Sequence, residues 1–151
     1  MNIRPAQLTD SAAWSRMRIA LWPTDPEDTD DAHADEIARY FAGTLREPLA
    51  VLLARADDGT PLGFIELNIR NYAEGCETNR VGYVEGWYVE PHARRRGIGR
   101  ALFAAGEAWA RAQGCTEMAS DTELDNEVSF AAHRALGYEE TDRIICFRKE
   151  L

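Results

Sequence analysis

Arg94-Arg95-Arg96-Gly97-Ile98-Gly99-Arg100 joins a β-like run, Val81–Val89, to a helical run that keeps Ala101, Leu102, Ala105, Trp109 and Ala112 on one face. A strand, a basic glycine loop and a helix in that order form an anion cradle. Gly97 and Gly99 lack a Cβ, so the backbone is free to curl and bring its amides close to an oxyanion, while the helix contributes the positive end of its dipole. The arginines supply full charges, and a pyrophosphate suits the arrangement. A Walker loop would need Gly-Lys-Ser/Thr at its end, and a dinucleotide fingerprint would need glycine or alanine where Leu102 stands. Neither pattern is met.

Upstream of the loop, residues 2–4 read as a short strand. Thr9 or Asp10 can cap a helix with Ala13, Trp14, Met17 and Leu21 on one face, which Pro23 and Pro26 break. A second helix is expected over 31–44, with Ile37, Tyr40 and Phe41 inward. Residues 49–55 and 62–69 are apolar runs around the turn residues Asp57, Asp58 and Gly59, which predicts an antiparallel hairpin. Residues 71–80 are polar and read as a loop. Downstream, Gly114 stops the helix that the basic loop opens, and residues 117–121 form a short strand. Asp125 or Asn126 then begins a helix, with Val128, Ala131, Ala132 and Ala135 inward, that ends at Gly137. Residues 143–149 close the chain as a strand. The order β-α-α-β-β-β-α-β-α-β predicts a mixed α/β sheet flanked by helices.

The chain has 151 residues, 45% hydrophobic and 28% charged, which suits a single domain over 1–151 with an ordinary core. There is no apolar run of about 18 residues to span a membrane, and the first 18 residues lack a signal peptide's apolar stretch, so the expectation is cytoplasmic, with no membrane partner. Cys76, Cys115 and Cys146 are unpaired in spacing and are expected to pack. They and His33, His92 and His133 predict no metal site. The net charge is −9 although arginines crowd positions 94–100, so an acidic body that repels nucleic acid carries a local anion site. Asp25, Glu27, Asp28, Asp30, Asp31, Asp35 and Glu36 follow Trp22-Pro23, either as a solvated loop entering a helix or as a rim that collects cations.

In 81–89, strict alternation puts Val81, Tyr83, Glu85, Trp87 and Val89 on one face. A carboxylate among such neighbours calls for a reason.

The segment 89–102 resembles the acetyl-CoA motif of the GNAT superfamily of N-acetyltransferases, and the element order is similar to that fold over the whole chain. The resemblance implies a mixed, mostly antiparallel twisted sheet and acetyl-CoA as cosubstrate. It implies that Trp87, Tyr88 and Val89 line the thioester and pantetheine, that Arg94, Arg95, Arg96, Gly97, Ile98, Gly99 and Arg100 hold the diphosphate, and that Asn126 faces the pantetheine from the other side.

Leu21-Trp22-Pro23, Tyr72 with Gly75-Cys76, Glu85-Gly86, the run Glu117-Met118-Ala119-Ser120-Asp121-Thr122 and the run Leu136-Gly137-Tyr138-Glu139-Glu140-Thr141 resemble a narrower group, the small dimeric aminoglycoside 6'-N-acetyltransferases. That resemblance implies substrate contacts at Trp22, Tyr72, Glu85, Asp121 and Asp142, a residue set that suits a polyamine sugar because carboxylates pair with ammonium groups and aromatics stack on rings and cations. It also implies a homodimer and antibiotic resistance as the outcome. Glu85 or Asp121 takes the amine proton in direct transfer from acetyl-CoA. Where the family carries a tyrosine to protonate the leaving thiolate, this chain has His133, so His133, Tyr138 or solvent serves. Another amine acceptor, such as a polyamine or protein lysine, or an acyl-CoA sensor without catalysis, is the alternative.

Overall fold

The computed structural model describes residues 1–23 and 31–151. Its strands β1 (Asn2–Pro5), β2 (Ala50–Arg55), β3 (Pro61–Arg70), β4 (Val81–Val89) and β5 (Glu117–Ser120) form one sheet in sequence order. The first three pairings are antiparallel and β4 runs parallel to β5. A parallel neighbour needs a crossover, supplied here by α3 (Ile98–Ala112). Helices α1 (Ser11–Leu21) and α2 (Ala32–Phe41) cover one face of the sheet, where Trp14, Met17 and Ile37 pack on Val51, Leu53 and Phe64. On the other face Leu102 and Phe103 of α3 meet Ile65, Leu67 and Val84.

The start of α2 shows how local chemistry sets these elements: Asp31 caps it by accepting a hydrogen bond from the Ala34 amide at 3.0 Å. Of the acidic run, Asp25, Glu27, Asp28 and Asp30 lie outside the described residues. Glu36, its side chain 45% exposed, pairs with Arg18 at 2.7 Å.

Four expectations are corrected. In β4, Gly86 faces Glu66 and Val84 faces Leu67, so Glu85 is an extra, bulged residue. The bulge breaks the alternation: Trp87 and Val89 join Val84 on the α3 side, while Glu85 stays with Tyr83 on the other. The last helix, α4 (Glu127–Ala135), has a different inward face from the one expected, with Val128 82% exposed and Ser129, Ala132 and His133 partly covered. Residues 143–149 form no strand within the chain, because among the described residues nothing pairs with them. Ile144, Ile145, Phe147 and Cys146 are exposed there, so Cys146 does not pack as expected, whereas Cys115 is buried. Among the described residues, no helix is long and apolar enough to cross a membrane.

Candidate active site

The opening of the site follows from the length of one ladder. β5 pairs with β4 only from Val81 to Val84, and β4 continues to Val89 with no strand on that side among the described residues. The two strands part there, and backbone groups of 85–89 face the gap. The basic loop lies at the far end of this edge. Arg95 (φ 60) and Gly97 (φ 79) both take the left-handed conformation, which coils the loop, and the coil delivers Ile98, Gly99 and Arg100 into the first turn of α3. The first intrahelical bond is from the Ala101 amide to the Gly97 carbonyl at 3.0 Å, so the three preceding amides have no acceptor inside the helix. Gly99 is needed for its size: a Cβ would stand 3.0 Å from Cζ3 of Trp87.

The arginines divide into two roles. Arg94 ties the loop to β4 by donating from Nε to the Val89 carbonyl at 3.0 Å, and its guanidinium lies 5.7 Å from the Tyr88 ring centre. Arg95, Arg96 and Arg100 extend into solvent. Ile98 is a core side chain, 3% exposed, so only its amide is open to a ligand. Likewise the Tyr88 ring packs near Phe64 and the Trp87 ring meets Phe103 edge-on, leaving their main-chain groups for the gap.

Across the gap, Asn126 is spent as the cap of α4, its Oδ1 accepting from the Ser129 amide at 3.0 Å. His133 is ringed by Trp87, Phe103 and Tyr138. Its Nδ1 lies 2.8 Å from the Ser129 carbonyl, which only accepts, so the neutral ring carries its proton there and Nε2 accepts from the Ser120 hydroxyl at 2.8 Å. The Tyr138 hydroxyl points at Glu107, 3.4 Å away, and burial first, then Glu107, pushes its pKa up.

The α1 face of the sheet carries the acceptor side. The Trp22 indole lies on Gly86 so closely that a Cβ there would strike its ring, and the Arg18 guanidinium stands 5.4 Å from the ring centre. His33 reaches the Trp22 carbonyl at 3.1 Å. Arg18 is held in turn by Glu66, 3.3 Å away, which also accepts from Trp14 Nε1 at 2.8 Å. Glu66 is 2% exposed, and burial pushes its pKa up to about 7 despite Arg18 and Trp14.

The apolar surroundings expected for Glu85 are absent. Its carboxylate accepts from Asn68 at 3.1 Å and from Arg70 twice, at 3.0 and 2.7 Å. Arg70 stacks 3.5 Å from the centre of Tyr83, whose hydroxyl donates to Asp121 at 2.9 Å. Glu85 and Asp121 are therefore ends of one chain of contacts. Sequence reading missed Asn68, Arg70 and the role of Tyr83. The available signal was the polar series Glu66, Asn68, Arg70 at period two in an otherwise apolar strand.

Tyr72 is 66% exposed in the loop after β3. Asp142 is exposed and accepts from the Arg143 amide, beside Thr141, whose hydroxyl docks on the Glu74 carbonyl at 3.1 Å. The C-terminal segment thus meets the loop that carries Tyr72.

A parallel strand pair that parts beside a glycine-arginine loop opening a helix is the architecture of an acyl-CoA-dependent N-acetyltransferase, and the chain belongs to the acetyltransferase (GNAT) family, which matches residues 14–138. Within it, the chain is 52% identical to the aminoglycoside N(6')-acetyltransferase type 1 of Klebsiella aerogenes, covering 99% of this chain and 96% of that protein. It is 45% identical to the enzyme of the same name from Stenotrophomonas maltophilia, covering 99% and 94%. Among solved structures, AAC(6')-Iy in complex with the bisubstrate analogue CoA-S-monomethyl-acetylneamine superposes with a TM-score of 0.87 at 39% identity, covering 99% and 98%. AAC(6')-Ig from Acinetobacter haemolyticus gives 0.87 at 38%, covering 100% and 99%.

Proposed function

We propose that this chain is an aminoglycoside 6'-N-acetyltransferase that moves the acetyl group of acetyl-CoA to the 6'-amine of the antibiotic, removing a cation and conferring resistance. The observation that carries the reading is the gathering of Trp22, Glu85 and the Tyr83–Asp121 pair on one face of β4, at the point where β5 leaves it. Near-full-length identity of 52% to an aminoglycoside acetyltransferase supports the same substrate.

Acetyl-CoA supplies the activated acetyl thioester. Its diphosphate suits the amides of Ile98, Gly99 and Arg100 with Arg95, Arg96 and Arg100, inside a loop whose turn depends on Gly97 and which Arg94 closes. Its pantetheine suits the free edge of Trp87, Tyr88 and Val89, with Asn126 on the opposite bank. Trp22 and Tyr72 offer rings to the aminoglycoside, and Glu85, Asp121 and Asp142 offer carboxylates to its ammonium groups. An alkyl ammonium is almost wholly protonated at neutral pH, so one of these carboxylates must accept its proton, directly or through a water. Glu85, which adjoins the free edge of β4, takes that role, with Asp121 as its partner. The freed amine forms the C–N bond as the C–S bond breaks, a main-chain amide of 87–89 meets the charge on the carbonyl oxygen, the nitrogen gives its second proton to water as it becomes the amide, and the thiolate takes a proton from solvent. Solvent is assigned because both ring nitrogens of His133 are engaged, Nδ1 with the Ser129 carbonyl and Nε2 with the Ser120 hydroxyl.

We also propose a cytoplasmic homodimer. Ile144, Ile145 and Phe147 are exposed on a segment with strand chemistry, and β5 has a free edge; both features suit a second copy. Light scattering of the wild type and of Phe147→Asp tests it: a dimer that the substitution dissociates is expected, and a monomeric wild type rejects it.

The test of the activity is CoA release with kanamycin A, which carries a 6'-amine, against paromomycin, which carries a 6'-hydroxyl. Turnover with kanamycin A alone is expected. Turnover with neither, while acetyl-CoA still binds, rejects the aminoglycoside and leaves another amine or a sensor.

A further inference from the structure

Three donors converge on Glu85, and two of them come from Arg70, which itself lies flat on the ring that holds Asp121. We propose that Arg70 is the positioning residue of the acceptor site: one guanidinium holds Glu85 in place and, through the Tyr83 ring, aligns the hydroxyl that orients Asp121. This rests on the functional reading above, since it assigns a task to two carboxylates that the reading puts against the substrate.

The geometry goes beyond an ordinary surface ion pair. Exposed pairs spend entropy to hold two mobile side chains and yield little. Here the guanidinium is immobilised from two sides, by a bidentate carboxylate and by an aromatic face, and the carboxylate has a further donor in Asn68. Nε and Nη2 of Arg70 occupy one side of Glu85, so a lone pair of Oε2 stays free for an incoming ammonium or water. Asp121 meets the Tyr83 hydroxyl with Oδ2, and its Oδ1 has no hydrogen-bond partner among the described residues. Each carboxylate is thus fixed by one edge and available by the other. Arg70 also offsets the mutual repulsion of the two carboxylates. The charged and titratable groups around Glu85 are Arg70 and the buried Glu66 on β3, Tyr83 on β4, Asp121 after β5, and Arg18 on α1, which is engaged with Glu66.

The experiment compares full-length wild type, Arg70→Met, Arg70→Lys and Tyr83→Phe by the pH profile of kcat/KM for kanamycin A at saturating acetyl-CoA. In Arg70→Met the acid limb is expected to move up by about one unit, because the carboxylate loses its cation. Activity should fall by up to about 10-fold along the acid limb and less at pH 8.5, with the KM for acetyl-CoA unchanged. Arg70→Lys should restore part of the limb position. Tyr83→Phe keeps the ring under Arg70 and removes only the bond to Asp121, so about a 5-fold loss with an unmoved limb is expected. An unmoved limb in Arg70→Met, or a loss equal at all pH values that lysine does not relieve, overturns the proposal. A second arm needs no turnover: the carboxyl carbon of Glu85, labelled with carbon-13 and assigned through Glu85→Gln, is titrated by NMR in wild type and in Arg70→Lys. Titration at higher pH in the lysine variant supports the proposal and coincident curves overturn it, even if no aminoglycoside is acetylated and the functional reading itself has failed.

Discussion

Glu66 and Glu85 lie on the same face of the sheet, on neighbouring strands around one bulge, and each has an arginine, yet they have become different kinds of residue. Glu66 is sealed beneath α1, 2% exposed, with Arg18 and the Trp14 indole as partners. Glu85 stands at the bulge where β5 has left the sheet, its side chain 21% exposed beside an Arg70 that is 40% exposed. Burial costs Glu66 more than its partners return, so it retains a proton up to about pH 7 and serves the core and the seat of Trp22. Glu85 gathers more donors than Glu66 without being sealed, and keeps an open edge for a ligand. An arginine beside a carboxylate does not by itself mark function; access to the carboxylate's remaining lone pair does.

The sharpest break of this comparison is Glu85→Gln. Loss of the proton acceptor should lower turnover about 100-fold or more, with the KM for acetyl-CoA unchanged and the denaturation midpoint close to wild type. A wild-type rate at saturating aminoglycoside would remove Glu85 from the reaction. The mirror experiment is Glu66→Ala, which leaves Arg18 and the Trp14 N–H without their buried partner. It should cost about 3 kcal/mol in urea unfolding while the enzyme that remains folded still turns over. Gly86→Ala tests the link between the two regions. Its Cβ forces the Trp22 ring off β4, so the KM for the aminoglycoside should rise about 10-fold, as expected for roughly 1.4 kcal/mol of lost contact, with kcat little changed.

A further effect is in pH dependence. Glu66 holds its proton more tightly folded than unfolded, so the folded state binds more protons between about pH 4.5 and 7. Stability from this group is therefore highest below that window, falls as pH rises through it, and is level above. Glu66→Gln should remove this slope from the wild-type curve of unfolding free energy against pH, and a slope that persists would assign it to other groups.

Much of the fold was legible where one local rule acts alone. The loop at 94–100, the helix after it, the hairpin around Gly59 and the helix that starts near Asp31 each depend on residues close in the chain. Glu85 was legible as chemistry, a carboxylate in an apolar strand, whereas Trp22 and Asp121 were marked only by the family resemblance. What escaped reading depended on distant partners. The bulge at Glu85 is set by the register against β3, and it reversed the face of every β4 residue beyond it. Arg18 and Arg70 look like surface charges until Glu66 and Glu85 are brought to them, and the segment 143–149 has a strand's composition but no edge to pair with inside the chain.

The sequence by itself determined the strand-loop-helix cradle, the order of elements as far as the last helix and the kinds of side chain available to a cationic acceptor, because glycine geometry, capping and hydrophobic period act over a few residues. Only the tertiary structure decided which carboxylate is buried and which is open, and which arginine serves each, because burial and ion pairing are set by groups far apart in the chain that packing brings within about 3 Å.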